Sequence, residues 1–309
     1  MLKRFRSYHR WFFILSTIIT ISFSRTELLS NLYVQIILTV ISVSIFGIPH
    51  GTFDFELIKS NKLISNFFKS SNRFGFSYLV LAALLALIWL GVPSFALSFF
   101  LLTSVYHWGE SDARAPENSS CLELVRYLIE FSFYGTALIS LSSVFHREIL
   151  INLFSILSNQ ATATNLVNIL NSLSHLIIFF SFLLLNYYSF RAKINKALEI
   201  LLVTLAMLYC EPLIGFIIYF CFLHSPKHIL DFFEKGDVPK KFFTKLLIGT
   251  IVSLIFMFLI FLYINGLSVD DINLQIFKVV FISLAGLTIP HVIFVRLWHL
   301  RLNSSLSIN

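Results

Sequence analysis

Two histidines four residues apart close an apolar run in Tyr219-Phe220-Cys221-Phe222-Leu223-His224-Ser225-Pro226-Lys227-His228. On a continuing helix they lie one turn apart on one face, where two neutral imidazoles can bind one metal ion. Two ligands alone rarely hold a metal tightly. Three further apolar runs also end on a histidine: Gly47-Ile48-Pro49-His50-Gly51-Thr52-Phe53-Asp54, Tyr106-His107-Trp108-Gly109-Glu110-Ser111-Asp112, and Pro290-His291. These ends are expected to converge on one site. Iron, zinc and copper all accept imidazole, and the residue types alone leave the metal open.

A ligating imidazole is usually oriented by a hydrogen bond from its other nitrogen to a carboxylate or carbonyl. Asp54 follows His50 by four residues, Glu110 follows His107 by three, and Asp231 follows His228 by three, so each can share its histidine's helix face. Asp112 lies just beyond in the same polar turn. The competing explanation is that these carboxylates are ordinary charges at a membrane boundary. For each histidine alone the competing explanation is a ring packed in a helix bundle against a backbone carbonyl. Ionisable residues inside apolar spans are costly and mostly functional, and this favours ligation for His50, His107, His224 and His228 as a set. His291 fits a ring-supporting or substrate-orienting role as well. His175 lies mid-span and reads as packing; His9, His146 and His299 read as surface or interface residues.

The elements that must position these residues are membrane helices. Of 309 residues, 57% are hydrophobic and only 13% charged, and the mean hydropathy is +0.83, far outside the range of soluble domains. Apolar stretches lie near 11–24, 31–48, 74–91, 93–109, 123–145, 165–189, 196–210, 212–232, 243–265 and 274–298. About 20 helical residues are needed to cross a hydrocarbon core of about 30 Å, so the first and seventh are short and the count is about ten, between about 8 and 10. With the N-terminus inside, ten spans put 19 Lys and Arg on one side and only Arg25 and Arg147 on the other. Fusing spans seven and eight would leave 12 against 9. The positive-inside rule therefore favours a break at Glu211-Pro212 and cytoplasmic N- and C-termini. In this topology His50, His107, His224, His228 and His291 all sit at or near the cytoplasmic ends of even-numbered spans, at a common depth. The fold class is an all-α integral membrane protein, a multi-span helix bundle forming one membrane domain over 1–309, multi-pass in the cell (inner, cytoplasmic) membrane. A short interfacial helix is expected around 149–157.

Composition also excludes classes. The net charge of +7 resides in short loops between apolar spans and speaks for membrane orientation, not nucleic acid. Cys121, Cys210 and Cys221 are scattered and match no zinc or disulfide spacing. Arg10 leads into an apolar run with no small-residue cleavage pattern before Arg25, so no cleavable signal peptide is expected. Arg126 and Glu130, at i, i+4, are placed to neutralise each other within the fifth span.

Pro49-His50-Gly51 with Asp54, Tyr106-His107-Trp108-Gly109 with Asp112, the His224 and His228 pair ahead of Asp231, and Pro290-His291, in that order, resemble the Brp/Blh family. Its members are membrane β-carotene 15,15'-dioxygenases that supply retinal to microbial rhodopsins. The resemblance runs from about 31 to 299. Lys227 stands where the family commonly has arginine, and Trp108 where a smaller aromatic is usual; neither change removes a ligand. The resemblance implies a non-haem Fe(II) bound by His50, His107, His224 and His228, with β-carotene and O2 as substrates, membrane lipid as surroundings and a functional link to a microbial rhodopsin. Four neutral imidazoles leave up to two iron positions open, and cleavage of one double bond to two aldehydes needs no general base. Tyr106, Trp108, Tyr219 and Phe222 adjoin the ligands and are the candidates to line the polyene's path.

Other classes compete. A di-iron histidine-box lipid desaturase or hydroxylase typically needs eight or so clustered histidines, whereas this chain has nine in all and one close pair. A membrane transporter or rhodopsin-assembly factor would be expected to show repeat symmetry, which the spans lack. A zinc membrane protease would carry HExxH, which is absent.

Overall fold

The computed structural model describes residues 2–51, 54, 71–116, 118–235, 242–266 and 271–306. Among these residues there is helix and no strand. In chain order the elements are α1 (Leu2–Phe23), α2 (Glu27–Ser30), α3 (Leu32–Ser42), a π-helical stretch Val43–Gly47, α4 (Ile48–Gly51), α5 (Ser71–Gly91), α6 (Pro93–Asp112), α7 (Cys121–Ser140), α8 (Ser142–Phe145) and α9 (Arg147–Leu157). There follow α10 (Gln160–Phe190), α11 (Ile194–Tyr209), α12 (Pro212–Phe216), a second π-helical stretch Ile217–His224, α13 (Ser225–Lys235), α14 (Phe242–Asn265) and α15 (Ile272–Leu306).

Local chemistry sets these boundaries. The Asn31 side chain accepts the backbone N–H groups of Tyr33 and Val34, Ser120 that of Glu123, and Asn159 that of Thr162, so three helices start on satisfied donors. Cys210 and Glu211 are extended, and Pro212 opens the next helix at its first turn, where a missing N–H costs nothing. The break expected at Glu211-Pro212 is therefore present. So is a helix over the stretch where a short interfacial one was expected, 149–157, as α9.

Each of the ten apolar stretches lies on helix. Among the described residues six helices are long and apolar enough to cross a membrane: Arg73–Gly91, Cys121–Phe145, Gln160–Phe190, Pro212–Asp231, Leu246–Asn265 and Ile272–Phe294. They differ in their surroundings. Two thirds of the apolar window of Pro212–Asp231 (67%) is enclosed by protein, against 11% for Leu246–Asn265, so the segment carrying the histidine pair is the more closely packed of the two.

The chain forms two compact units, one of Met1–Val43 and Ser104–Lys235, the other of Ser44–Thr103 and Gly236–Asn309. In the first, α10 packs on α7, α9 and α11, while α1 lies along α11, α13 and the second π-helical stretch. In the second, α15 packs along α5 and α14.

Candidate metal site and its carboxylates

Three of the expected ligands come together in the first unit. The ring centres of His107 and His224 are 5.0 Å apart, those of His107 and His228 6.2 Å, and those of His224 and His228 6.3 Å. An ion about 2.1 Å from a ring nitrogen lies about 3.2 Å from that ring's centre, so rings sharing one ion stand roughly 4.5–6.4 Å apart. Each separation falls in that window taken pairwise, but among the described residues no group of three or more His, Cys, Asp or Glu side chains is placed to hold a metal ion.

Asp112 is the hub behind them. Its buried carboxylate accepts from His224 Nδ1 and from the Tyr219 hydroxyl, both at 2.9 Å on Oδ2, and from Lys227 Nζ at 3.0 Å on Oδ1. The Lys227 ammonium also donates to the Asp112 backbone carbonyl at 3.2 Å. Asp112 lies beyond the apolar stretch 93–109. Burial alone would raise its pKa, but the Lys227 ammonium and the His224 ring outweigh burial and hold its carboxyl well below the ordinary carboxylate range. An ionised carboxylate has no proton to give, so the hydrogen of this bond sits on His224 Nδ1. The Nε2 atoms of His107 and His224 are enclosed, and imidazole nitrogens are common metal ligands.

The π-helical stretch explains how one carboxylate reaches two side chains five residues apart. On an α-helix Tyr219 and His224 would point about 140° apart. Here the Ser225 N–H bonds the Phe220 carbonyl, closing an i to i+5 turn. Consequently the Tyr219 and His224 rings stack with centres 6.4 Å apart and share Asp112. From His224 the chain is α-helical, which returns His228 to the same face with its ring nearly parallel, at 12°.

Gly109 and Gly135 let α6 approach α7. A Cβ added at Gly109 would lie 2.7 Å from the Phe131 carbonyl oxygen, and one at Gly135 2.5 Å from that of Val105. The turn after Asp112 is clamped as well. Arg126 donates to the Ala115 carbonyl at 3.1 Å, and Glu130 accepts the Arg114 N–H at 2.6 Å. The expected pairing of Arg126 with Glu130 is present at 3.2 Å, joined by Glu123 at 2.9 Å.

The second unit holds another histidine–carboxylate pair. Asp54 and His291 are both buried, with His291 Nδ1 2.7 Å from Asp54 Oδ1. Tyr78 lies beside them, its hydroxyl donating to the Leu287 carbonyl at 2.7 Å near the proline-bearing turn at Pro290. Burial, only partly offset by the His291 ring, pushes Asp54 above the ordinary carboxylate value. Gly51 faces His291 Nδ1, its added Cβ being 3.9 Å away. His50 itself lies on α4, and its side chain falls outside the described residues.

The remaining expected residues are distributed as follows. Glu110 is half-buried one turn beyond His107. The structure pairs Asp231 with Arg6 of α1, which also binds Glu234, so that carboxylate fastens α1 to α13. Trp108 is buried with its ring edge-on to Tyr219 at 5.6 Å. Tyr106 is 37% exposed and contacts Phe131. Phe222 packs edge-on to Phe12 at 5.2 Å. Sequence reasoning missed the roles of Lys227 and His9. His9, expected as a surface or interface residue, has Nε2 2.8 Å from the Phe222 carbonyl, an interface contact between α1 and the second π-helical stretch.

Fold and site together define an all-helical protein with several membrane-length apolar helices and, in its first unit, three neighbouring histidines of which His224 is backed by Asp112. Comparison with known proteins gives this class its family. Residues 41–299 match the family model described as Beta-carotene 15,15'-dioxygenase, and the chain belongs to that family. It is 30% identical over 269 residues, 82% of this chain and 90% of the relative, to a protein of the uncultured marine bacterium 66A03 named Beta-carotene 15,15'-dioxygenase. No solved structure matches.

Proposed function

We propose that this protein is a non-haem Fe(II) dioxygenase that cleaves β-carotene at its central 15,15' double bond with O2, giving two molecules of retinal. The observation that carries the proposal is the neighbourhood of the His107, His224 and His228 rings, with Asp112 bonded behind His224, in a chain of this family. These three rings would hold the iron, and His50 is proposed as the fourth ligand from its place in the sequence motif. When bound, the iron would supply the activation of O2.

The chain's own residues do the rest. Asp112 fixes the His224 tautomer; Lys227 and Tyr219 fix Asp112. Trp108 presents a buried aromatic surface beside the site, suited to an apolar polyene. The central C=C bond breaks, each of its carbons takes one oxygen atom, and neither a reductant nor a proton is consumed. No residue is therefore required as a general base. We further propose that about ten (8–10) of the apolar helices span the cytoplasmic membrane with both termini inside, and that the retinal formed serves a microbial rhodopsin.

Expression in β-carotene-accumulating bacteria tests this. The cells should lose their orange colour and yield retinal, and purified protein should contain one iron per chain. Cells that stay orange despite well-expressed protein would overturn the activity. Two irons per chain would favour a histidine-box hydroxylase.

A further inference from the structure

Asp112 is the last residue of α6, and the chain just beyond it has no regular structure. Arg114, Ala115 and Pro116 are exposed, so apolar packing does not fix the path that leaves the carboxylate. What reaches this turn is a cluster of buried charges on α7. The Arg126 side chain is 4% exposed and lies between two carboxylates, Glu123 at 2.9 Å and Glu130 at 3.2 Å, one turn to either side. It also donates to the Ala115 carbonyl at 3.1 Å, while Glu130 accepts the Arg114 N–H at 2.6 Å. From α10, the Tyr187 hydroxyl donates to Glu123 at 2.7 Å and that of Tyr188 to Glu130.

We propose that Arg126, with its partner Glu130, is a positioning residue for Asp112: together they anchor the turn 113–115 to α7 and so hold the Asp112 carboxylate against His224 and Lys227. Neutralisation within the helix accounts for the contacts with the two carboxylates but not for the bond to Ala115. A guanidinium serves two carboxylates and a carbonyl at once because its five N–H donors point in fixed directions in one plane, which an ammonium on a flexible stem does not offer. The anchor also completes a pattern. Gly109, three residues before Asp112, abuts the Phe131 backbone, and Ala115, three residues after it, is tied to Arg126, so α7 fixes the chain on both sides of the carboxylate. The consequence for iron rests on the metal site proposed above; the hold on the turn does not.

The test uses full-length, detergent-purified protein carrying Arg126→Lys, Asp112→Asn, both together, or Glu130→Gln. In metal-free protein, hydrogen exchange of the Arg114 amide should speed about tenfold in Arg126→Lys, the scale of one lost hydrogen bond to a charged group. Read by Fe(II) titration, Arg126→Lys should weaken affinity about threefold to tenfold when Asp112 is present. It should change affinity by no more than about twofold in the Asp112→Asn background, because the residue through which it acts is already gone. If Arg126 only neutralises charge within the helix, lysine replaces it and exchange at Arg114 keeps the wild-type rate; that result would overturn the proposal. An equal loss of Fe(II) affinity in both backgrounds would also overturn it, since Asp112 would then not be the intermediary. If Arg126→Lys fails to fold, Glu130→Gln decides: its neutral amide weakens the bond to the Arg114 N–H, so exchange there should rise about threefold, and an unchanged rate overturns the anchor. A wild type that binds no Fe(II) refutes the proposed metal site, while exchange on the metal-free protein still decides whether Arg126 holds the turn.

Discussion

Asp112 and Asp54 are both buried and each lies within hydrogen-bond distance of a histidine Nδ1, yet their carboxyl groups are pushed in opposite directions. Asp112 has the Lys227 ammonium on one oxygen and His224 and Tyr219 on the other, and stays ionised. Asp54 is met by His291 and Tyr78, and burial dominates. The same residue pairing thus gives two different objects. A carboxylate with a fixed cation behind it imposes one tautomer on its histidine and raises that ring's strength as a ligand. A carboxyl whose charge is disfavoured can share its proton with the ring, which suits orientation better than ligation.

The largest expected contrast lies in the histidines themselves. His107→Ala or His224→Ala should reduce retinal formation to background with membrane insertion intact, whereas His291→Ala should leave measurable activity; equal, complete loss in all three would erase the distinction. Next come the carboxylates. Asp112→Asn should lower iron affinity about 10–100-fold, the usual effect of removing a ligand's carboxylate partner, and Asp54→Asn clearly less, as read by iron titration. A larger effect at Asp54 would reverse the assignment.

Lys227→Met sharpens the electrostatic part. Asp112 is depressed in the folded protein, so its charge is lost only as pH falls through that low value. Without the cation, burial is less well opposed and a proton is taken up at higher pH. The acid limb of the retinal-forming activity should therefore move upward by about one pH unit, whereas Tyr78→Phe should leave it in place. The smallest effect is expected for Tyr219→Phe, which removes one of three donors to Asp112 and should cost about threefold to tenfold in activity.

Several features were legible in the sequence because their causes are local. Pro212 after Glu211 marks a helix start, the stretch near 149–157 becomes α9, and Arg126 with Glu130 meets at helical spacing. The three histidines of the first unit were also legible, since each closes an apolar run. Other features were not. Asp231 has helical spacing from His228, but Arg6, more than two hundred residues earlier, claims it. His9 read as a surface or interface residue, and the sequence does not show which carbonyl its ring meets.

The sequence by itself determined a membrane-helix protein with histidines at the ends of its apolar runs, because hydropathy, proline and i, i+4 spacing act within a few turns of chain. Tertiary structure alone decided that Asp112, which the sequence placed only in the polar turn after His107, backs His224, and that Lys227 lies on its other oxygen. Those contacts join residues more than a hundred positions apart. They also depend on a π-helical register that turns Tyr219 and His224 to one side. Neither a pairing across that distance nor a change of helical pitch leaves a mark in the local pattern of residues.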